Sequence, residues 1–102
     1  MGLTTDPKEA RESGIGPDGM QEKYVVLSDE ERGKGFVRPV RSTYTHVKCG
    51  GRTTMASAIA ETYARNPKFY GGTYCSTCKT HFNLRDGDSA AFTWDDGSGV
   101  GE

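Results

Sequence analysis

Alternation of apolar and polar positions along this chain is confined to short runs, each closed by glycine, proline or a polar cluster. Residues 23–28 (KYVVLS) carry the β-branched and aromatic side chains of a strand. Residues 28–32 (SDEER) follow as a capped helical turn, with Ser28 three residues before Glu31 and glycines at 33 and 35 to stop it. Residues 36–47 (FVRPVRSTYTHV) form the longest strand-like run. Pro39 has no N–H to give a neighbouring strand, so this run is expected to begin as an irregular edge and become regular only after Val40. Farther on, Met55, Ile59 and Tyr63 recur at four-residue steps with Ala58 beside them. That period predicts a helix capped by Thr53 or Thr54, running to about Arg65 and stopped by Asn66-Pro67, with its apolar stripe packed on a sheet. Residues 81–85 and 90–94 alternate across Asp86-Gly87-Asp88-Ser89 and predict a β-hairpin.

The two ends differ from this middle. Residues 1–22 are polar and broken by glycine and proline, and after Met1 only Leu3, Ile15 and Met20 are sizeable apolar side chains. Residues 7–13 can wind into a short helix ended by the glycines that follow, but the stretch cannot build a core alone. It is expected as an extended or disordered arm that docks on something else. Residues 97–102 read as an acidic, glycine-rich tail, which leaves 23–96 as the folded domain.

Chemistry is concentrated in two paired steps, His46-x-x-Cys49 and Cys75-x-x-Cys78, separated by 25 residues that can hold a helix and a return loop. The two-residue spacing lets one tight turn aim two soft ligands at one ion, and the two pairs complete a tetrahedral zinc set. Gly50 and Gly51 leave backbone N–H groups free to turn toward the first sulfur. His81, three residues after Cys78, is a rival for the histidine position, or else a neighbour that supports the site from outside it. A redox role for Cys75-Ser-Thr-Cys78 is disfavoured, because the pair follows a tyrosine in a glycine-rich turn and does not open a long helix after a buried strand. Four protein ligands leave a zinc ion no open position, and Glu61 is the only acid between residues 36 and 85. No His-x-Glu precedes the cysteine pair, and no His-Glu-x-x-His, nucleophile elbow or phosphate loop is present, so the chain is expected not to be an enzyme.

Size and composition agree with a metal staple. With 102 residues, a third of them apolar, the chain can bury only a thin core. Three cysteines cannot all pair, so a secreted disulfide framework is not expected. The N-terminus lacks the apolar run of a signal peptide, and no segment approaches the roughly 20 apolar residues of a membrane span. The expected location is therefore the cytoplasm of the cell or of a host cell, with no membrane partner and no small-molecule substrate.

Net charge is −1, but its distribution is lopsided. Residues 1–35 hold five basic side chains against eight acids; residues 36–85 hold eight against Glu61; residues 86–102 hold five acids and no base. The basic block coincides with the zinc module. It is either a surface for nucleic acid or an acidic partner, or a face that the acidic flanks cover by folding back.

The segment from about Phe36 to Trp94 resembles a zinc ribbon with a helix inserted between its two knuckles. The residues that carry the likeness are residues 46–51 (HVKCGG), a helix ending in residues 63–67 (YARNP), and residues 75–78 (CSTC). With its closing residues 92–97 (FTWDDG), it is also similar to small zinc-ribbon proteins encoded by tailed bacteriophages. A histidine stands where the usual ribbon has its first cysteine.

The resemblance implies a small α+β fold with an antiparallel sheet, and Zn2+ on His46, Cys49, Cys75 and Cys78. The favoured function is that of a structural or interaction protein docking on protein subunits of an assembly such as a virion. The alternatives are a nucleic-acid-binding or transcription-modulating ribbon and an inhibitor of a host protein. The nucleic-acid alternative would use Arg38, Arg41, Lys48, Arg52, Lys68, Lys79 and Arg85, with Tyr44, Tyr70 and Tyr74 as stacking faces.

Overall fold

Thr43–His46, the regular end of the run after Pro39, is the central strand β3 of a three-stranded antiparallel sheet. It pairs on one side with Arg52–Thr54 (β4), in the register Tyr44 to Thr53, and on the other with Phe92–Trp94 (β9), in the register His46 to Phe92. The computed structural model describes residues 2–102. The sheet's inner face presents Tyr44, Phe92 and Trp94, which meet edge to face, with Tyr44 5.5 Å from Phe92 and 6.0 Å from Trp94. Ser57–Arg65 (α3) packs Ile59 and Tyr63 into this cluster, and the Tyr63 ring stands edge-on to Trp94 at 5.5 Å. Such aromatic pairs add about 0.5–1.5 kcal/mol each to their burial, so a small core gains from being built largely of rings.

The helix is shorter than its periodicity predicted. Thr53 and Thr54 do not cap it, because they lie in β4, where Thr43 and Thr54 join hydroxyls across the strands at 2.9 Å. β-Branched residues returning from a tight turn satisfy their backbone by pairing with the strand they have just left. The helix then starts after Ala56 without a side-chain cap, and Met55 packs on the core from ahead of it. Its end falls at Asn66, as Asn66-Pro67 predicts. The capped turn at residues 28–32 is also present as Asp29–Arg32 (α2), with Ser28 Oγ accepting from Glu31 N–H at 3.2 Å.

The predicted hairpin is divided between two partners. Gly72–Cys75 (β5) pairs with Thr80–Asn83 (β6), in the register Cys75 to Thr80, so His81 and Phe82 belong to the strand leaving the second knuckle. Only the tip expected at residues 86–89 survives, as Arg85–Asp86 (β7) against Ser89–Ala90 (β8). The ladder ends with Ala91 N–H donating to Leu84 C=O at 2.9 Å, after which β9 leaves to join β3. Ring burial accompanies this choice: beside β3, Phe92 and Trp94 are almost fully enclosed, packed on Tyr44, His46 and Tyr63.

Both ends are built into the domain. Gly2–Thr4 (β1) pairs in parallel with Lys23–Val25 (β2), and Pro7–Glu12 (α1), capped by Asp6, crosses between them with Ala10 buried. Residues 2–22, expected as an arm free to dock elsewhere, thus lie on their own chain. The Tyr74 hydroxyl donates to Asp18 C=O, and Gly19 lies so close to the Lys79 carbonyl that a Cβ there would stand 1.9 Å from its oxygen. Residues 97–102 are likewise no free tail: Val100 N–H donates to Phe92 C=O at 3.0 Å and the valine is 1% exposed. The small α+β class holds, with antiparallel sheets and α3 between the two knuckles, while the β1–β2 pair is parallel. Among the described residues no helix is long and apolar enough to cross a membrane.

Candidate metal centre

Each ligand pair sits at the tip of a hairpin, and the two tips follow one backbone plan. His46 C=O accepts from Gly50 N–H at 2.7 Å, and Cys75 C=O accepts from Lys79 N–H at 2.7 Å. Gly50 and Lys79 close their turns with φ of +73° and +56°. Gly51 N–H points at Cys49 Sγ at 3.3 Å, and Cys78 N–H at Cys75 Sγ at 3.4 Å. Amides turned on sulfur stabilise thiolate, and their aim follows from the turn geometry that the two-residue spacing permits.

The tips face one another. His46 Nδ1 lies 3.2 Å from Cys49 Sγ and 3.8 Å from Cys78 Sγ, and Cys49 Sγ lies 3.6 Å from Cys75 Sγ. The four donor atoms all fall within 4.8 Å of one another, and the three cysteines are free. Sulfurs arranged tetrahedrally at about 2.3 Å from one ion stand about 3.8 Å apart, so the spacing and the donor chemistry fit a tetrahedral soft-metal set. His46 and Cys75 are buried while Cys49 and Cys78 reach the surface, which places the cluster at one end of the fold. The His46 ring is fixed between Phe82, at 4.5 Å, and Phe92, at 4.7 Å.

Electrostatics of the bare cluster point the same way. The Gly51 N–H draws the Cys49 thiol below its usual pKa, whereas desolvation of its sulfur, with the hydrogen bonds to Cys49 and Cys75, pushes Cys78 up to about 11. Three sulfurs this close cannot all ionise unless a cation balances them.

The structure gathers His46, Cys49, Cys75 and Cys78, and turns His81 elsewhere. His81 Nε2 is 2.8 Å from the Tyr24 hydroxyl, and its ring lies between Tyr24 and Tyr74. The basic residues predicted as a contact surface are largely engaged with the acidic C-terminus. Arg41 pairs with Asp96 at 3.1 Å and lies over the Trp94 ring; Arg52 pairs with Asp95 and Arg85 with Glu102, each at 2.8 Å. Arg38 donates to the Glu102 carbonyl at 3.1 Å. Lys48, Lys68 and Lys79 have no ion pair among the described residues.

The tyrosines expected as stacking faces are packing residues instead. Tyr44 and Tyr74 are buried, Tyr44 donates to Tyr74 C=O, and the Tyr70 hydroxyl is taken by Val25 C=O at 2.5 Å. Sequence reasoning missed Asp95, Asp96 and Glu102 as individual partners, although the charge segregation was the signal for them. Comparison of the chain with protein families, curated proteins and solved structures finds no match.

Proposed function

We propose that this chain is a zinc-stapled interaction protein without enzymatic activity, docking on protein partners within a larger assembly. The observation that carries this is the cluster itself: three thiols and one imidazole join two hairpin tips, and no carboxylate belongs to the group. Such a donor set suits zinc among the common metals, and four protein ligands would leave the ion in a structural role. His46, Cys49, Cys75 and Cys78 would hold it. The ion would supply the cross-link between the β3–β4 and β5–β6 hairpins that a core of this size lacks.

Docking on protein is supported by Phe36, Val37 and Val40, which stand 46%, 57% and 48% exposed in one irregular segment between α2 and β3. Apolar side chains gathered in one stretch, and not scattered, suit a partner surface. A virion is one such assembly, in keeping with the sequence resemblance to phage-encoded zinc-ribbon proteins. The nucleic-acid reading is less well supported, since Arg38, Arg41, Arg52 and Arg85 are held by residues 95–102.

Native mass spectrometry tests the staple, with one zinc per chain expected, and none after Cys75→Ser. Chelation should then remove the hydrogen-exchange protection of both hairpins together. For the docking role, the protein recovered from its source should migrate in a complex of fixed stoichiometry that F36S/V37S/V40S abolishes while zinc content is retained. A metal-free wild-type protein sinks the first reading; a monomer in its source sinks the second.

A further inference from the structure

A second site candidate lies away from the knuckles, where residues of α1, β2 and the β5–β6 hairpin line a cleft of about 600 Å³. Along β6, the Phe82 ring packs on His46, and His81, Phe82 and Asn83 all line this cleft with Arg11, Gln21 and Tyr24. Its floor is apolar, with Tyr24, Val25 and Tyr70 beneath, and no Asp or Glu is among its lining residues. The side chains of Arg11, Gln21 and Asn83 make no hydrogen bond or ion pair to any described residue, so the fold does not use them.

The histidine has one ring nitrogen to offer a ligand. Tyr24 Oη accepts from Gln21 N–H at 3.2 Å and lies 2.8 Å from His81 Nε2, which leaves His81 Nδ1 without a partner among the described residues. Burial lowers the His81 pKa and so favours the neutral ring. In the tautomer whose Nε2 accepts the Tyr24 proton, Nδ1–H is a free donor. One guanidinium, one imidazole and one amide thus line a single cleft together with the Tyr24 and Tyr70 rings.

We propose that this cleft binds a single carboxylate carried on an apolar body, with Arg11 pairing the charge, His81 and Asn83 donating to its oxygens, and Tyr24 and Val25 taking the apolar part. One cation with neutral donors suits a monoanion, whereas a phosphate dianion calls for more positive charge. The carboxylate could belong to a free organic acid or to a polypeptide C-terminus. The inference stands apart from the metal reading, because none of these residues is a ligand.

Amide NMR titration of the full-length, metal-loaded protein tests it. Sodium benzoate should shift residues 21–25 and 81–83, and benzamide should bind at least tenfold more weakly. Arg11→Gln should weaken benzoate at least fivefold, and Asn83→Asp, which sets a carboxylate against it, should abolish binding; both side chains are exposed and free of fold contacts. Benzamide equal to benzoate, phosphate tighter than benzoate, or no effect of the two substitutions overturns the proposal. A peptide ending in Phe should bind only with a free C-terminus. If it binds tighter than benzoate the partner is a polypeptide end, and if weaker, a small acid; equal binding of the amidated peptide also overturns it.

Discussion

Gly51 lies so close to Thr77 that a Cβ placed on it would stand 2.0 Å from the threonine Oγ1 and 2.6 Å from its Cβ. The two knuckles thus touch through residues that are not ligands. Gly51→Ala forces the tips apart, and overpacking of this kind costs about 1–3 kcal/mol. We expect weaker metal retention against a competing chelator, with recovery in G51A/T77G, where the opposing Cβ is gone. Without that recovery, the effect is not the clash.

Lys79 occupies the left-handed position that glycine holds in the first knuckle. A side chain there costs about 1–2 kcal/mol, part of which glycine gives back through its freer unfolded chain. Lys79→Gly should therefore raise stability by about 0.5–1 kcal/mol in thermal unfolding with metal present, and Lys79→Val should lower it.

Asp96 has its pKa lowered to about 2, first by the hydroxyl and N–H of Ser98 and then by Arg41. The folded value lies below the unfolded one, so its stabilising effect is complete above about pH 4 and is lost as pH falls toward 2. Stability measured across that window should fall less in Asp96→Asn than in the native chain. Parallel curves would show that the Ser98 and Arg41 contacts do not depend on the charge.

Val100, not the ion pairs, should hold the C-terminus down. Burial of a valine is worth about 1.5–3 kcal/mol, whereas an exposed pair such as Arg85–Glu102 is worth about 0–1 kcal/mol. Denaturant titration should place Val100→Ala about 1.5–3 kcal/mol below the native protein and Arg85→Gln within about 1 kcal/mol of it.

The acidic end should also suppress nucleic-acid binding. In D95N/D96N the Arg41 and Arg52 guanidinia lose their carboxylates, and a low-salt titration with single-stranded DNA should show weak, steeply salt-dependent binding that the native chain lacks. Equal affinity in both would return the basic face to consideration as a nucleic-acid surface.

What was legible in the sequence was whatever a few neighbouring residues decide. Ser28 caps the turn before Glu31, Asn66-Pro67 ends α3, Pro39 delays β3, and the paired spacings build two alike knuckles. Each depends on backbone freedom, a missing N–H or a side chain reaching its own turn, and such forces act over three or four residues.

Partner choice was not local, and only the tertiary structure decided it. Spacing favours His46 but leaves His81 as a rival; the His46 ring is held between Phe82 and Phe92 beside the sulfurs, while His81 is turned to Tyr24. Thr53 suits a helix cap or a strand, and pairing with β3 settles it. The acidic tail, polar by composition, is drawn in because Val100 fills a place against Phe92 that no periodicity could show. Residues 46–49 and 75–78 determined which chemistry the chain can hold; shape complementarity among rings far apart in sequence decided how that chemistry is framed and which surfaces stay open beside it.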